Sequence, residues 1–343
     1  MTAARRAAGL SWPVAALLAL ALVVAWPSGA AAELRPAGQA PPGAMEVTVG
    51  IVPITIFGLD VGNATYRMDA YIWFRWRGDH DPSRSFEIIN AVDKGRHSRI
   101  YTYPEPKVQP DGGKYQVLRV EGYFHQRFDL TAFPLDAHEL TLLIEDQELN
   151  AGRLVYRFDA GASRLGDLLT IGNWRILGLA GEELVHDWGS DFGDVTSTSE
   201  YAMLKIAVGI ERPAKYFIWK MLLPILIVVV AHWGALLLHP RLEARVTLPA
   251  TALLAAVVLQ QAFAGSLPEV GYLVLIDKIF VLTFGVIVLT GIRTVYTATL
   301  ARQHEAQGGD AAYYTDIRRG DLLVLAAETA VFVAGVALLI WLR

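Results

Sequence analysis

Cysteine is absent from the 343-residue chain, so the sequence excludes disulfide bonds, a thiolate nucleophile and a thiolate metal site. Charge is also scarce, because Asp, Glu, Lys and Arg make up only 19% of the residues and the formal net charge is −4. No block of like charge occurs, which argues against a nucleic-acid-binding surface. The sequence contains no nucleophile elbow, phosphate-binding loop or zinc-protease helix. We therefore expect no enzyme activity, no cofactor and no metal site.

Hydrophobic residues make up 53% of the chain and are concentrated in one short segment near the start and in four later blocks. In the first segment, Arg5 and Arg6 precede an apolar run from Val14 to Ala25, and small residues follow. This order is typical of a secretory signal, and it predicts a signal peptide over residues 1–32. An uncleaved membrane anchor is the alternative interpretation.

Residues 33–213 carry the pattern of short strands separated by turns. The segment from Tyr66 to Trp76 alternates between two faces, and Met68, Ala70, Ile72, Phe74 and Trp76 share one of them. A strong turn signal at residues 109–113 leads into another strand-like run. No helical period is sustained here. The pattern predicts an all-β, immunoglobulin-like sandwich.

The four later apolar blocks are each about long enough to cross roughly 30 Å of hydrocarbon as helices. They predict an all-α membrane domain over residues 214–343, with helices at about 216–238, 244–264, 270–298 and 321–342. The first connection carries Arg241 and Arg245, and the third carries Arg302, Arg318 and Arg319, whereas residues 265–271 contain no Lys or Arg. The positive-inside rule places the first and third connections in the cytoplasm. We therefore predict a multi-pass inner-membrane protein with its sandwich in the periplasm and its C-terminus outside.

The second of these helices has the most informative pattern. At about 100° per residue, a set of mainly polar positions falls within an arc of roughly 80°. These predicted pore-lining residues are Glu243, Thr247, Thr251, Leu254, Val258 and Gln261. Since one helix cannot enclose a channel, several copies must surround a common axis. The alternative is a bundle helix whose Thr and Gln side chains bond to neighbouring helices.

Each position on this stripe predicts a part of a cation pore. A ring of Glu243 carboxylates would attract cations and repel anions. The Leu254 and Val258 rings would form an apolar gate that excludes water. Arg245 lies about 200° from Glu243 around the helix and should point away from the axis.

Several short motifs together resemble the pentameric ligand-gated ion channels, in their bacterial branch without the paired cysteines. Residues 243–247 resemble the start of the family's pore helix, and Phe133-Pro134-Leu135-Asp136 resembles the core of its signature loop. Ser266-Leu267-Pro268 resembles the external turn, Leu222-Leu223-Pro224 with Trp233 resembles the first helix, and Arg212 with Tyr216-Phe217 resembles the motif that joins the two domains. The resemblance implies a homopentamer that binds its agonist at subunit interfaces.

The resemblance also implies which residues would couple agonist binding to the gate. These are Phe133, Pro134, Asp136, Arg212 and Pro268. Phe133 and Pro134 would touch the Pro268 turn, and Arg212 would bind an acid such as Asp136 or Glu139.

Ligand-site positions implied by the resemblance are Tyr71, Asn90, Glu145, Gln147, Trp188, Phe192 and Tyr201. The Trp-x-Pro pattern expected before Asn90 is missing, so one wall of an aromatic cage for a quaternary amine is lost. Glu145 still permits a smaller cationic amine. Protons are the other agonist considered, with His138, His232 and Glu328 as candidate sensors.

Four other interpretations stay open at this point. In a non-conducting membrane receptor, the sandwich would bind a ligand and the helices would only assemble. A membrane-tethered enzyme or a transporter would need motifs that we do not find. An anion-selective channel is the fourth, because Ala244-Arg245-Val246 also resembles anion-selective relatives, which usually carry Pro where Glu243 stands. The partners we expect are identical subunits, the lipid bilayer, monovalent cations, and an unidentified small-molecule or proton agonist.

Overall fold

The computed structural model describes residues 34–92, 97–190, 193, 199–265, 267–307 and 311–343. The predicted signal peptide, Phe192 and Ser266 lie outside these residues. The described chain divides into two compact units. One contains Ala214–Arg343 together with Leu130–Leu135, and the other contains Asp136–Pro213 with the chain that precedes Leu130.

The N-terminal unit is built from two sheets. Its strands are β1 (Arg35–Pro36), β2 (Met45–Asp60), β3 (Thr65–Trp76), β4 (Phe86–Ile88), β5 (Ser98–Tyr101), β6 (Lys107–Val108), β7 (Lys114–His125), β8 (Ala137–Asp146), β9 (Leu154–Phe158), β10 (Arg175–Asp187) and β11 (Glu200–Glu211), with a short helix α1 (Pro82–Ser85) before β4. One sheet has the order β1-β10-β11-β8-β4, and the other has the order β5-β7-β3-β2-β9, with β6 paired to β7. All pairs are antiparallel except β2 with β9.

Side-chain alternation explains why these strands pair as two layers. On β3 the residues predicted to share a face are all buried, and Ile72 and Phe74 are fully enclosed. On β8, Leu140, Leu142 and Ile144 are buried in the same way. Apolar faces from both sheets thus supply the core, and the predicted sandwich is confirmed.

The C-terminal unit contains four long helices. They are α2 (Ala214–Leu237), α3 (Ala244–Ala264), α4 (Leu275–Glu305) and α5 (Ala311–Trp341). A π-helical segment, Phe217–Leu222, lies within α2. Each helix contains a stretch long and apolar enough to cross a membrane, so the chain is a multi-pass membrane protein. The predicted fold class is therefore confirmed in both halves.

Two helices differ in extent from the sequence prediction. Helix α4 begins at Leu275 rather than near 270 and continues to Glu305, and α5 begins well before 321. The added turns are polar, so hydropathy does not detect them. They are stabilised by ring packing instead, because Tyr313 stacks on His304 with ring centroids 4.0 Å apart.

Small residues bring α3 close to α4. Ala252 and Ala256 are buried against Ile287. A Cβ added at Gly291 would lie 3.6 Å from the Pro249 Cβ, which is ordinary contact distance. Small residues at a helix interface let the backbones approach closely in a membrane. One face of α3 is therefore fixed against its own subunit.

Candidate functional site

The predicted pore-lining stripe lies on the exposed face of α3. Glu243, Thr247, Thr251 and Gln261 are exposed, and Leu254 and Val258 are 65% and 60% exposed. The buried residues of this helix, Arg245, Pro249, Ala252 and Ala256, fall on the opposite side at about 100° per residue. An acid, two hydroxyls, two aliphatic side chains and an amide thus share a face that the subunit itself leaves uncovered.

The two threonine hydroxyls on this face donate to their own helix. Thr251 Oγ1 lies 3.0 Å from the Thr247 carbonyl oxygen, and Thr247 Oγ1 lies 3.3 Å from that of Ala244. A hydroxyl has one proton and two acceptor lone pairs. Because the proton is used by the backbone, the lone pairs are available to a cation or to water on the exposed side.

The positive charge at this end of α3 is buried away from the stripe. Arg245 is fully buried, and its guanidinium lies 2.6 Å from the Asp321 carboxylate of α5. It also donates to the Leu238 carbonyl at 2.7 Å and to Thr297 Oγ1 at 2.9 Å. Arg293 shares Asp321 at 3.1 Å. The Asp321 carboxylate of α5 therefore binds both Arg245 of α3 and Arg293 of α4, and Glu243 remains the exposed charge on the stripe.

The candidate proton sensors in the helices have structural partners or are enclosed. Glu328 is 5% exposed and accepts from Thr290 Oγ1 at 2.6 Å and from Trp233 Nε1 at 3.2 Å. His232 is fully buried on α2. Glu328 thus connects α2, α4 and α5 within the unit, as buried polar groups in membranes commonly do.

The sandwich contains one cluster of predicted ligand-site residues. Glu145 on β8 is only 2% exposed, and both of its carboxylate oxygens are engaged. Oε1 lies 2.6 Å from His186 Nδ1, and Oε2 accepts from Trp188 Nε1 at 3.2 Å. The two rings pack together with centroids 4.4 Å apart. His186 was not predicted as a site residue.

Burial raises the pKa of Glu145, and the hydrogen bonds from His186 and Trp188 act in the opposite direction. Glu87, directly opposite Glu145 on the neighbouring strand, also raises this pKa. The site is therefore a buried acidic cluster in which a positive charge is stabilised. Among the residues that the structure describes, His186 is the basic side chain that pairs with Glu145.

The remaining predicted ligand residues are divided between the two sheets. Tyr201 lies beside His186 in the β10–β11 register, and Gln147 is exposed just after β8. Tyr71 is 41% exposed, but it lies on β3 of the other sheet. One chain does not bring Tyr71 and Glu145 together on one face, as expected of a site shared by two subunits. Phe192 falls outside the described residues.

Asn90 is used within the sandwich itself. Its amide nitrogen donates to the His125 carbonyl at 3.0 Å and to the Thr141 carbonyl at 2.6 Å, and its oxygen accepts from the Leu143 N–H at 3.1 Å. Because both amide protons are engaged, this side chain has no donor to offer a ligand. The structure places Asn90 as a brace between β7 and β8, which belong to different sheets.

Asp136 is the acid that Arg212 binds. The Arg212 guanidinium lies 2.8 Å and 3.2 Å from the two carboxylate oxygens and 4.3 Å above the Trp174 ring. His138 lies 2.7 Å from the same carboxylate. Burial raises the pKa of Asp136, but the bonds from His138 and Arg212 outweigh it and lower the pKa to about 2. Glu139, the other acid considered, binds Lys205 at 2.7 Å instead.

The loop Leu130–Leu135 covers the start of α4. The Leu275 N–H donates to the Thr131 carbonyl at 3.0 Å, and the Ile276 N–H donates to the Phe133 carbonyl at 3.2 Å. These are two of the N–H groups that a helix start leaves without partners. Two backbone hydrogen bonds thus join this loop to the start of α4, and the expected contact of Phe133 and Pro134 with the Pro268 turn stays a prediction. The Phe133–Pro134 peptide bond is cis.

Comparisons with known proteins agree with this architecture. No family model matches the chain. It is 23% identical over 195 residues to a gamma-aminobutyric acid receptor subunit beta of Caenorhabditis elegans, covering 55% of this chain and 34% of that protein. It is 26% identical over 159 residues to a gamma-aminobutyric acid receptor subunit beta of Lymnaea stagnalis, covering 46% of this chain and 30% of that protein. The chain thus spans about a third of the length of the curated relatives it matches.

These relatives are receptor subunits and not enzymes, which fits a chain without a catalytic motif. The similarity and the four apolar helices together support a relationship to pentameric ligand-gated channels. They also agree with the expectation of subunit partners in a lipid bilayer.

Proposed function

We propose that this chain is a subunit of a homopentameric, cation-selective channel of the bacterial, cysteine-free type. Its agonist is a small cationic amine, sensed by the sandwich at interfaces between subunits, and its pore is lined by α3. An inner-membrane location with the sandwich in the periplasm is part of this proposal. Arg241 is exposed between α2 and α3, Arg302 is exposed near the end of α4, and Arg318 and Arg319 are exposed near the start of α5, as the positive-inside rule expects of cytoplasmic segments.

The observation that carries the proposal is the uncovered polar face of α3. This face carries an acid near one end and two hydroxyls and an amide along its length. If a single subunit exposed these groups to lipid, their loss of hydration would cost free energy. The cost disappears if copies of the helix turn this face toward a shared aqueous axis. Leu254 and Val258 then form the narrow apolar rings at which water is excluded when the channel is shut.

Cation selectivity is supported by the separation of the two charges at the end of α3. Glu243 is exposed on the stripe, whereas the neighbouring Arg245 is buried in its contact with Asp321. A ring of five carboxylates would concentrate cations at the mouth and repel anions. The anion-selective alternative rests on the resemblance of Ala244-Arg245-Val246 to anion-selective relatives, which usually carry Pro where Glu243 stands.

Reversal potentials in asymmetric salt test the ion selectivity. We expect the wild-type channel to follow the potassium gradient, and E243Q to reduce this preference severalfold because the charge is removed while the shape is kept. A matched control is E269Q, since Glu269 is an exposed acid beyond the other end of α3. A wild-type potential that follows chloride would reject the assignment.

Ion flux from proteoliposomes tests whether the chain conducts at all. We expect L254A to leak potassium without agonist, because the apolar ring widens and admits water. L253A is the matched control, since Leu253 is only partly exposed and packs against the Ala252, Ala256 and Ile287 cluster. If neither wild type nor L254A passes ions under any condition, the non-conducting receptor is favoured.

A further inference from the structure

The carboxylate proposed to bind an amine agonist is already occupied by a side chain of its own subunit. His186 Nδ1 lies 2.6 Å from Glu145 Oε1, within hydrogen-bond distance. Trp188 Nε1 takes the second oxygen at 3.2 Å. With Glu145 only 2% exposed, an incoming ammonium group has no free oxygen to approach.

The two occupying rings come from one end of the β10–β11 pair. The Trp188 N–H donates to the Ser199 carbonyl at 3.0 Å, and Ser199 Oγ donates to Asp187 at 2.5 Å. These bonds close the pair directly beyond His186, which is opposite Tyr201. The same end of the β10–β11 pair therefore positions both His186 and Trp188 against Glu145.

The charges around Glu145 leave the imidazole as its counter-ion. Glu87 on β4 is directly opposite and is itself acidic. Lys205 on β11 is engaged by Glu139 at 2.7 Å and Glu182 at 3.3 Å. A second carboxyl group next to the buried Glu145 favours a positive charge beside Glu145, which a protonated His186 or a ligand cation can supply.

We infer that His186 is a built-in competitor for the agonist, which binds Glu145 only by displacing the imidazole. This inference rests on the proposed amine site. A small primary ammonium group can replace the imidazole N–H as a donor, whereas a quaternary ammonium has no N–H to offer. Protonation strengthens the hold of His186 on the carboxylate, so protons should oppose amines.

Equilibrium binding to the full-length protein in lipid nanodiscs tests this inference. The probe is n-butylamine, which stays protonated between about pH 6 and pH 8, as lysine does. We expect the wild-type affinity to fall about fourfold or more from pH 8 to pH 6. H186Q should bind more tightly than wild type at pH 6 and should lose most of the pH dependence.

Three controls make the outcome decisive. E145Q should abolish butylamine binding, H125Q should behave as wild type because His125 is an exposed histidine on the other sheet, and choline should bind weakly to all variants. A merely structural His186 would make H186Q lose binding at both pH values. The wild-type pH series needs no variant, so it stands even if H186Q fails to fold.

A pH-independent wild-type affinity, an H186Q variant that keeps the wild-type pH dependence, or the absence of amine binding would overturn the inference. The binding assay involves no ion flux. A protein that binds butylamine competitively with protons but does not conduct would leave the inference intact and reject the channel. If the protein conducts ions and its response to amine is unaffected by E145Q, the channel is supported and the inference is rejected.

Discussion

Replacing Asp321 by asparagine should destabilise the helical unit strongly, because the change keeps the shape and removes one buried charge. Asp321 is 1% exposed and lies between the fully buried Arg245, at 2.6 Å, and Arg293, at 3.1 Å. Breaking a buried ion pair from one side costs about 3–5 kcal/mol, since the other charge is left buried without its partner. The Leu238 carbonyl and Thr297 still accept from Arg245, which favours a cost of about 3 kcal/mol.

The assay is the fraction of assembled protein that survives heating in mild detergent, measured by size-exclusion chromatography. A loss of about 3 kcal/mol should lower the midpoint by roughly 6–12 °C. D316N is the matched control, because Asp316 is an exposed acid on the same helix, and it should change the midpoint little. The double variant R245M/D321L should recover most of the loss, since an apolar pair can replace a buried ion pair. A D321N shift no larger than that of D316N would refute the ion-pair account.

Three further predictions concern the sandwich and the loop. The pKa of Asp136 is lowered from 3.8 to about 2 in the folded state. Asp136 should therefore add about 2 kcal/mol to the free energy of unfolding above pH 4, and this contribution should be lost as the pH falls through 2. If D136N unfolds in acid over the same pH range as the wild type, the prediction is contradicted. N90A should lower the stability of the sandwich by about 2–4 kcal/mol in urea, whereas N63A in an exposed turn should cost less than about 1 kcal/mol. Y272F removes the hydroxyl that accepts from the Leu130 N–H at 3.1 Å and should cost about 1 kcal/mol in the same heating assay; an unchanged midpoint would show that another acceptor replaces it.

Sequence periodicity was sufficient wherever one element decides the outcome alone. The alternation of β3 follows from its pleat, so its buried face could be assigned residue by residue. The exposed stripe of α3 follows from the helical repeat in the same way. The pairing of Arg212 with an acid of the signature loop was also expected, although geometry had to choose Asp136 over Glu139.

Contacts that depend on the register of several strands could not be predicted. His186 reaches Glu145 only because β11 separates β10 from β8 and the bonds at Ser199 fix the end of the pair. Its spacing in the sequence carries no signal, since the two residues are 41 positions apart. Asn90 matched a ligand position by resemblance, but its amide is used by backbone groups of two sheets. The only available sign was the missing aromatic motif before it.

The assignment of Leu130–Leu135 to the helical unit has a practical consequence for dissecting the protein. A fragment that stops at Pro213 would carry this loop without α4, and its Thr131 and Phe133 carbonyls would lose their backbone donors while Phe133, now 5% exposed, met solvent. Exchanging the sandwich for that of a related chain therefore needs two junctions rather than one. Chimaeras in which residues 130–135 and α4 come from the same parent should assemble, and those that split them should express poorly.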